Sequence, residues 1–298
     1  TKIYPGKKYN EQTLRSRMSE FASLIREFLT QKSFSEDEFE KKKYFIKELT
    51  KRKKFELAEK FISEAEKGIA GDKDFGNIFF KQKLQLLTEH ASLWIAKDEK
   101  DKSLESAYGR GEFLLNYFLL EYLKINHDII CIEIEKKEKK DFSLANLFFE
   151  KFNFEEYLNA LKEKNYEHYA LIASYYYGNM SMRKPEEEYY FYQLKNILYE
   201  HYKIFALEEL YNYWSLLSNC AYVNYLKKGK KFLNEGHEIN KFFIENEIYD
   251  NSKPFSPLGF QNILMNAVMV EDFDWGEKFI DEFKQKLPTE AANNRYNF

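Results

Sequence analysis

The chain has 298 residues, of which 32% are charged and 44% hydrophobic, and this composition excludes an intrinsically disordered protein. Its net charge of -3, spread evenly along the chain, excludes a predominantly basic nucleic-acid-binding protein. Aromatic residues reach 18%, whereas only 11 glycines and 5 prolines interrupt the chain, so we expect long helical elements with large rings to bury.

The sequence contains no apolar run approaching the about 18 residues that a membrane-spanning helix needs, so no membrane association is predicted. Two cysteines, Cys131 and Cys220, lie in apolar stretches and are expected to be buried, reduced thiols, which favours a cytoplasmic protein. The chain begins at Thr1, and residues 289–298 are typical of the beginning of a helix, so we expect a piece of a longer protein.

Helical periodicity dominates the chain. Apolar residues recur at spacings of three and four in two clear examples, which are Leu14, Met18, Phe21, Leu24, Ile25, Phe28 and Leu210, Trp214, Leu217, Ala221. No stretch alternates regularly between apolar and polar residues, so no sheet is expected. Short polar breaks separate segments of about ten to 25 residues, which indicates antiparallel helix hairpins joined by short turns.

Several residues mark expected helix starts. Ser35 with Glu38, and Asn153 with Glu156, have the spacing of a capping box, in which two side chains satisfy free backbone N–H groups reciprocally. Further expected starts are Pro185, Pro257 behind Ser256, Asp272 and Thr289.

One phrase of the sequence occurs twice. Residues 55–64 read FELAEKFISE and residues 273–282 read FDWGEKFIDE, so six of ten positions are identical across a separation of 218 positions. Recurrence within one chain is typical of stacked-repeat architectures. The separation divides into six units of about 36 residues, close to the roughly 34-residue period of tetratricopeptide repeats.

Both copies are similar to the second helix of a tetratricopeptide repeat, where an aromatic residue precedes small, aromatic and small positions. The matching residues are Phe55, Ala58, Phe61 and Ala65 in the first copy, and Phe273, Gly276, Phe279 and Pro288 in the second. Phe283 stands where a small residue is usual, and residues 153–161 form a weaker third copy. The chain therefore resembles a divergent tetratricopeptide-like helical repeat protein of bacterial type.

This resemblance implies an all-α fold, namely a right-handed superhelical array of antiparallel helix hairpins that stack into an α-solenoid. It also implies a single repeat domain over residues 1–298, with about seven hairpins and with residues 1–33 as an N-terminal capping segment. Within such an array the repeated rings of Phe55 and Phe273 are expected in the core.

The sequence offers no arrangement typical of catalysis or of metal binding. No histidine has a glutamate three positions before it, as di-iron helix bundles require. His237 and Glu238 begin a zinc-binding phrase, but Lys241 stands where its second histidine belongs. Neither cysteine has a local partner, and no glycine-rich phosphate loop is complete. We therefore expect no metal, no cofactor and no enzymatic activity.

Nucleic acid is not expected as a partner. Lysine-rich runs lie near predicted helix ends at residues 41–43, 51–54, 136–140 and 227–231. Cations at a helix C-terminus are favoured by the helix dipole, and glutamates surround these runs. Binding to a phosphate backbone depends on net local positive charge, which these runs do not supply.

Two kinds of side chain are candidates for binding a protein partner. Asn262 and Asn266 lie one turn apart on a predicted helix whose expected core face is Ile263, Ala267 and Val270. The family resemblance implies that such asparagines can hold a peptide backbone on the concave face of the array. Tyrosines crowd residues 166–202, where they either pack between helices or form an aromatic groove. The candidate partner-binding residues are Asn262, Asn266, Tyr169, Tyr176 and Tyr213.

We interpret the chain as a non-enzymatic interaction scaffold that binds a peptide or a partner protein on the concave face of a helical repeat array. One alternative is a helical regulatory or sensor region of a larger enzyme whose catalytic domain lies outside this chain. A less favoured alternative is an RNA-binding helical repeat protein.

Overall fold

The structure is a computed structural model, and it describes residues 10–69, 76–138, 144–249 and 254–288. Within these ranges the chain is helical and contains no strand, which confirms the all-α prediction for the described residues. The α-helices are α1 (Glu11–Glu36), α2 (Glu38–Lys51), α3 (Phe55–Ile69), α4 (Asn77–Ala96), α5 (Lys100–Lys136), α6 (Leu144–Lys151), α7 (Phe154–Glu163), α8 (Tyr169–Arg183), α9 (Glu188–His201), α10 (Leu207–Lys228), α11 (Lys230–Glu245), α12 (Pro257–Met269) and α13 (Phe273–Phe283).

Three of the expected helix starts are confirmed by their hydrogen bonds. The Asn153 side chain accepts from Glu156 N at 3.2 Å, which caps α7, and its Nδ2 donates to the Glu156 carboxylate at 2.8 Å, a bond between side chains in place of the second bond of a capping box. Ser256 caps α12, whose first residue is proline, and Asp272 caps α13. Each cap satisfies an N–H group that the helix itself leaves free.

Two expected helix starts are wrong, and Thr289 lies outside the described residues. Helix α1 continues through Ser35, whose hydroxyl donates to Lys32 O at 2.8 Å, and Asp37 caps α2 instead. Asp37 directly precedes Glu38 and its side chain accepts from Glu40 N at 2.8 Å, so it takes the position assigned to Ser35. Pro185 lies in the turn after α8, and α9 begins only at Glu188.

The described chain divides into two compact units, where the sequence predicts a single domain. The first unit comprises the residues up to Ile69 together with Gln82–Arg110. Its core is made by α2, α3 and α4, with the buried residues Ile46, Leu49, Ala58, Ile62, Ala65, Leu86 and Leu93. The small residues Ala58 and Ala65 of α3 are both buried in this core.

The second unit contains residues 76–81 and the described chain after Arg110, and α8 lies at its centre. All residues from Ala170 to Met182 are buried, so this helix faces protein on every side. The pairs α8–α9, α10–α11 and α12–α13 are consecutive helices in contact, and α10 packs on α8 while α12 packs on α11. This order is that of helix hairpins packed side by side; the superhelical arrangement and the number of hairpins stay predictions.

Close packing of α8 on α10 depends on one glycine. A Cβ added at Gly178 would lie 2.5 Å from Leu216 Cδ2, so no larger residue fits without displacement. Two buried hydrogen bonds join the same helices: Tyr213 donates its hydroxyl proton to Leu171 O at 2.8 Å, and Asn224 Nδ2 donates to Ser181 Oγ at 3.2 Å. The α8–α10 contact therefore fixes the helix that carries one wall of the candidate site.

The repeated phrase adopts the same local structure in both copies, because α3 begins at Phe55 and α13 begins at Phe273. The small residues Ala58 and Gly276 are buried in both helices. The prediction that Phe273 lies in the core is wrong, since 56% of its surface is exposed, and Phe55 is only half-buried. As first residues of their helices these rings lie at the edge of the helix contact, and the packing passes to later residues such as Ile62 and Phe279.

The predicted N-terminal capping segment, residues 1–33, stays a prediction. Residues 1–9 lie outside the described residues, and α1 has no buried residue. A capping helix buries one apolar face on the next hairpin and turns a polar face outward. Most apolar residues of α1 are exposed, and Leu14 is half-buried.

Candidate binding groove

A groove of about 1180 Å³ lies between α10, α11 and α12, entirely within the second unit; we call it the α10–α12 groove. Helices α10 and α11 are joined through Gly229, whose φ of 79° lies in the left-handed region that glycine adopts without strain. That tight junction sets the two helices side by side, and residues 254–256 lead the chain into α12 at the edge of the groove. The volume slightly exceeds the range of about 300–1,000 Å³ that is typical of small-molecule sites.

The bottom of the groove is apolar and rigidly packed. It consists of buried side chains from three helices: Trp214, Phe232, Ile239, Phe243 and Ile263. Trp214 packs edge-on against Phe242 with ring centroids 5.3 Å apart, which holds the indole in place. A preformed floor of this kind does not have to become ordered when a ligand binds.

The walls of the groove carry exposed rings and aliphatic groups. Tyr211, Tyr222 and Leu207 extend from α10, while Leu258, Met265 and Met269 extend from α12, and all of them are largely exposed. Large apolar side chains concentrated at one place mark interaction surfaces, because exposed apolar residues on other surfaces are usually scattered. Tyrosine is enriched among the residues that dominate binding energy, and methionine adapts its shape to varied partners.

Neutral polar groups are interspersed with these apolar walls. Asparagines and serines of all three helices line the groove, namely Asn212, Ser215, Ser218, Asn219, Asn240, Asn262 and Asn266. Glu208 is the only charged side chain among the described residues that line it. Carboxamides offer one acceptor and two donors each, so the groove can hydrogen-bond a neutral ligand without placing a charge beside it.

Asn262 and Asn266 come together in this groove, as the sequence predicts from their spacing, and Ile263 and Ala267 form the buried face of the same helix. Asn262 is exposed to solvent, whereas Asn266 is partly buried and donates from Nδ2 to Leu233 O at 3.5 Å. A Cβ at Gly236 would lie 3.3 Å from Asn266 Nδ2, so the glycine makes room for the amide.

Two residues that line the groove each carry a buried polar atom with no hydrogen-bond partner among the described residues. They are the Trp214 indole Nε1, on a residue that is 2% exposed, and Asn266 Oδ1. The first atom is a donor and the second is an acceptor. An unpaired buried polar group costs about 1–3 kcal/mol, but both atoms are shielded from solvent and are not open to a ligand in this conformation of the groove.

The three tyrosines predicted as partner-binding residues do not line the groove. Tyr213 is fully buried in the α8–α10 contact, and Tyr176 is buried with its hydroxyl donating to Glu155 Oε1 at 3.3 Å. Tyr169 is half-buried beside Tyr177, and burial raises its pKa. These rings belong to the packing of α8, and Tyr213 has no surface with which to contact a partner.

The tyrosines that do line the groove carry a signal in the sequence. Tyr211, Ser215, Ser218, Tyr222 and Tyr225 follow one another at spacings of four and three along α10, so they share one face of the helix. The apolar stripe of Leu210, Trp214, Leu217 and Ala221 runs along the neighbouring face of α10. The periodicity of the apolar residues does not reveal the Tyr and Ser stripe beside it.

The second unit also contains a buried charge pair outside the groove. Lys124 of α5 contacts Glu209 of α10, and Tyr175 of α8 donates to the same carboxylate at 3.5 Å. Burial raises the pKa of Glu209, because desolvation penalises the carboxylate more than Lys124 stabilises it. Glu209 is absent from the groove lining, so this pair joins three helices and does not face the groove.

The described residues show few other features typical of a chemical site. No group of three or more metal-ligating side chains occurs among the described residues. Both cysteines are free, and burial raises the pKa of the Cys220 thiol to about 12. In the run at residues 227–231, Lys228 and Lys231 both pair with Glu188, at 3.3 and 2.5 Å. In the ranges that the structure describes, no helix combines the length and the apolar character needed to cross a membrane.

No protein-family model matches the chain, and no curated protein or solved structure is significantly similar to it.

Proposed function

We propose that this chain is a non-enzymatic interaction protein that binds a peptide segment of a partner protein in the α10–α12 groove. The observation that carries the proposal is the lining of the groove, in which exposed rings and aliphatic side chains stand beside carboxamides of all three helices. Each peptide unit has one C=O acceptor and one N–H donor, which match the donors and the acceptor of an exposed carboxamide such as that of Asn262.

The remaining polar groups fit the same ligand. Asn262 is exposed one turn before Asn266, so an extended backbone along α12 meets two carboxamides in succession. Carboxamides recognise the backbone whatever the side chains are. The side chains of the ligand are then selected by the walls of the groove.

The walls favour apolar and neutral side chains in the ligand. Tyr211, Tyr222 and Met265 offer exposed rings and a flexible thioether, and Glu208 is the single charge among the described lining residues. A lysine or arginine near Glu208 is compatible with this arrangement, whereas a run of acidic residues is not. A nucleic acid backbone meets no cation in the described lining of the groove.

We further propose that the hairpins continue a tetratricopeptide-like right-handed superhelix with this groove on its concave face, in a cytoplasmic protein. The support is the side-by-side order of the pairs α8–α9, α10–α11 and α12–α13 and the common start of the two repeated phrases at Phe55 and Phe273. Small-angle X-ray scattering of the purified chain distinguishes an elongated superhelix from a compact bundle.

The test of peptide binding begins with a phage-displayed library of random dodecapeptides selected on the purified chain. Enriched peptides are synthesised and their dissociation constants are measured by calorimetry. We expect the double variant Asn262→Ala/Asn266→Ala to weaken binding by about 10–30-fold, because two hydrogen bonds of about 1 kcal/mol each are lost.

The matched control is Asn196→Ala, which removes an exposed asparagine on α9 that does not line the groove. This variant should bind the selected peptides as tightly as the unmodified chain. Unchanged binding by the double variant, with unchanged circular dichroism, removes the groove as the peptide site. A library from which no peptide is enriched contradicts the proposed function itself.

A further inference from the structure

Helix α1 exposes an apolar stripe along most of its length. The stripe consists of Met18, Phe21, Leu24, Ile25, Phe28 and Leu29, and 42–63% of each side chain is exposed. Leu14 extends the stripe and is half-buried. A surface helix normally packs such a stripe against a hydrophobic core, whereas the stripe of α1 is largely exposed to solvent.

Helix α1 contacts the rest of its unit on the side opposite the stripe. Phe34 lies on that other side and packs edge-on against Tyr44 of α2, with ring centroids 5.8 Å apart. The charged residues of α1 pair with one another, as in Arg15 with Glu11 at 2.6 Å and Lys32 with Glu36 at 3.9 Å. Such exposed pairs contribute only a few tenths of a kcal/mol each, so they do not replace the missing contacts of the stripe.

The spacing of the stripe is that of a coiled coil. Leu14, Met18, Phe21, Ile25 and Phe28 follow at intervals of four, three, four and three, which are alternating d and a positions of a heptad. Lys32 occupies the next a position. A helix with this pattern pairs with another helix that offers an equivalent stripe.

We propose that a second copy of this chain covers the stripe, through antiparallel pairing of the two α1 helices. A two-fold axis near residue 23 places Met18 opposite Phe28 and Phe21 opposite Ile25 of the second copy. Lys32 then faces Leu14. Parallel pairing would instead set the two copies of Lys32 against each other at one a position, and like charges there oppose association.

The flanking positions of the antiparallel arrangement are also free of like charges. Leu24 meets Leu24 of the second copy beside the two-fold axis, Arg15 lies opposite Leu29, and Arg17 lies opposite Gln31. The same surface therefore complements itself under a two-fold rotation, which an isologous dimer interface requires.

The area of the stripe is sufficient for a dimer. Taking about 200 Å² for a whole large side chain, the six exposed residues present roughly 700 Å² on each copy. A stable interface of ordinary size buries about 800 Å² on each partner. The stripe thus supplies most of such an interface before any neighbouring residue is included.

Sedimentation velocity over a range of concentrations tests the proposal. The unmodified chain should form a dimer, and Phe21→Glu/Ile25→Glu should raise the dimer dissociation constant by more than about 100-fold, since each copy loses two buried apolar contacts. Both side chains are exposed in the single chain, so far-UV circular dichroism and thermal unfolding report that the variant still folds. Ser23→Glu on the polar face of α1 is the matched control and should leave the dimer intact.

Disulfide cross-linking tests the orientation in a Cys131→Ser background. Leu24→Cys should form an intermolecular disulfide under mild oxidation if the helices are antiparallel, whereas Lys32→Cys should form one if they are parallel. A monomer at all accessible concentrations, or a dimer that survives Phe21→Glu/Ile25→Glu, overturns the proposal. Cross-linking only at position 32 overturns the antiparallel arrangement.

Discussion

Replacing Gly178 by alanine tests how closely α8 approaches α10. The added Cβ would lie 2.5 Å from Leu216 Cδ2 and 2.7 Å from Leu216 Cδ1 and Cγ, and Leu216 is itself fully buried. Overpacking a core costs about 1–3 kcal/mol, and alanine recovers about 1 kcal/mol through its higher helix propensity. Because the new carbon meets three atoms of one immobile side chain, we expect a net destabilisation of about 2 kcal/mol.

Urea unfolding followed by circular dichroism measures this change. The matched control is Gly111→Ala in α5, where an added Cβ meets no atom within 4 Å. That variant should be more stable than the unmodified chain by about 0.5–1 kcal/mol, since alanine favours the helix and restricts the unfolded chain. The two alanine variants should therefore differ by about 2–3 kcal/mol.

A second substitution separates the steric effect from other causes. Leu216→Ala alone should lower the free energy of unfolding by about 2–5 kcal/mol. It also removes the side-chain atoms that the added Cβ of Gly178→Ala would meet. The double variant should therefore lose less stability than the sum of the two single losses, with a coupling energy of about 1–2 kcal/mol. Equal stability of Gly178→Ala and Gly111→Ala, or strictly additive losses in the double variant, would refute the close approach.

Three further predictions concern single side chains. Asp272→Asn keeps the cap of α13 but loses the ion pair with Lys241, which lowers the pKa of Asp272 to about 2. Since that carboxylate is about a third exposed, its charge should contribute about 1 kcal/mol to the free energy of unfolding at neutral pH. In urea unfolding, the stability difference between Asp272→Asn and the unmodified chain should vanish as the pH falls through about 2. A difference that persists in acid would contradict this assignment. Tyr213→Phe should cost about 1 kcal/mol in urea unfolding, because Leu171 O loses its donor; an unchanged stability would exclude that bond. Cys220→Ser should leave the number of thiols that a disulfide reagent modifies in the native protein unchanged, since Cys220 is buried with its pKa raised to about 12, and a fall by one would contradict this burial.

Local signals in the sequence identify much of the helical structure. Asn153, Ser256 and Asp272 cap the helices that they are expected to cap, because a cap depends on residues within one turn. Ser35 fails for the same reason, since Asp37 competes for the same helix start two residues later. Burial is less predictable from the sequence. Phe273 is the first residue of α13, and the exposure of its ring depends on where the neighbouring helix stops.

Only one wall of the candidate site can be predicted from the sequence. Asn262 and Asn266 are found through their spacing on one helix, which a single chain displays directly. The opposite wall on α10 contributes Tyr211 and Tyr222, and their role depends on which face of that helix turns toward α8. Tyr213 illustrates the difficulty, because a tyrosine two positions from a groove residue is fully buried on another side of the same helix.

Helix α8 has consequences for how this sequence can change over time. A helix with one solvent face accepts substitutions on that face, but the run from Ala170 to Met182 has none, so a change at any of its positions alters the volume of the core. Divergence should therefore accumulate on helices that keep a solvent-exposed polar face and spare this stretch. Distant relatives of the chain should be recognisable there first, by a glycine that follows three large rings and precedes small polar residues and methionines within one continuously buried helix.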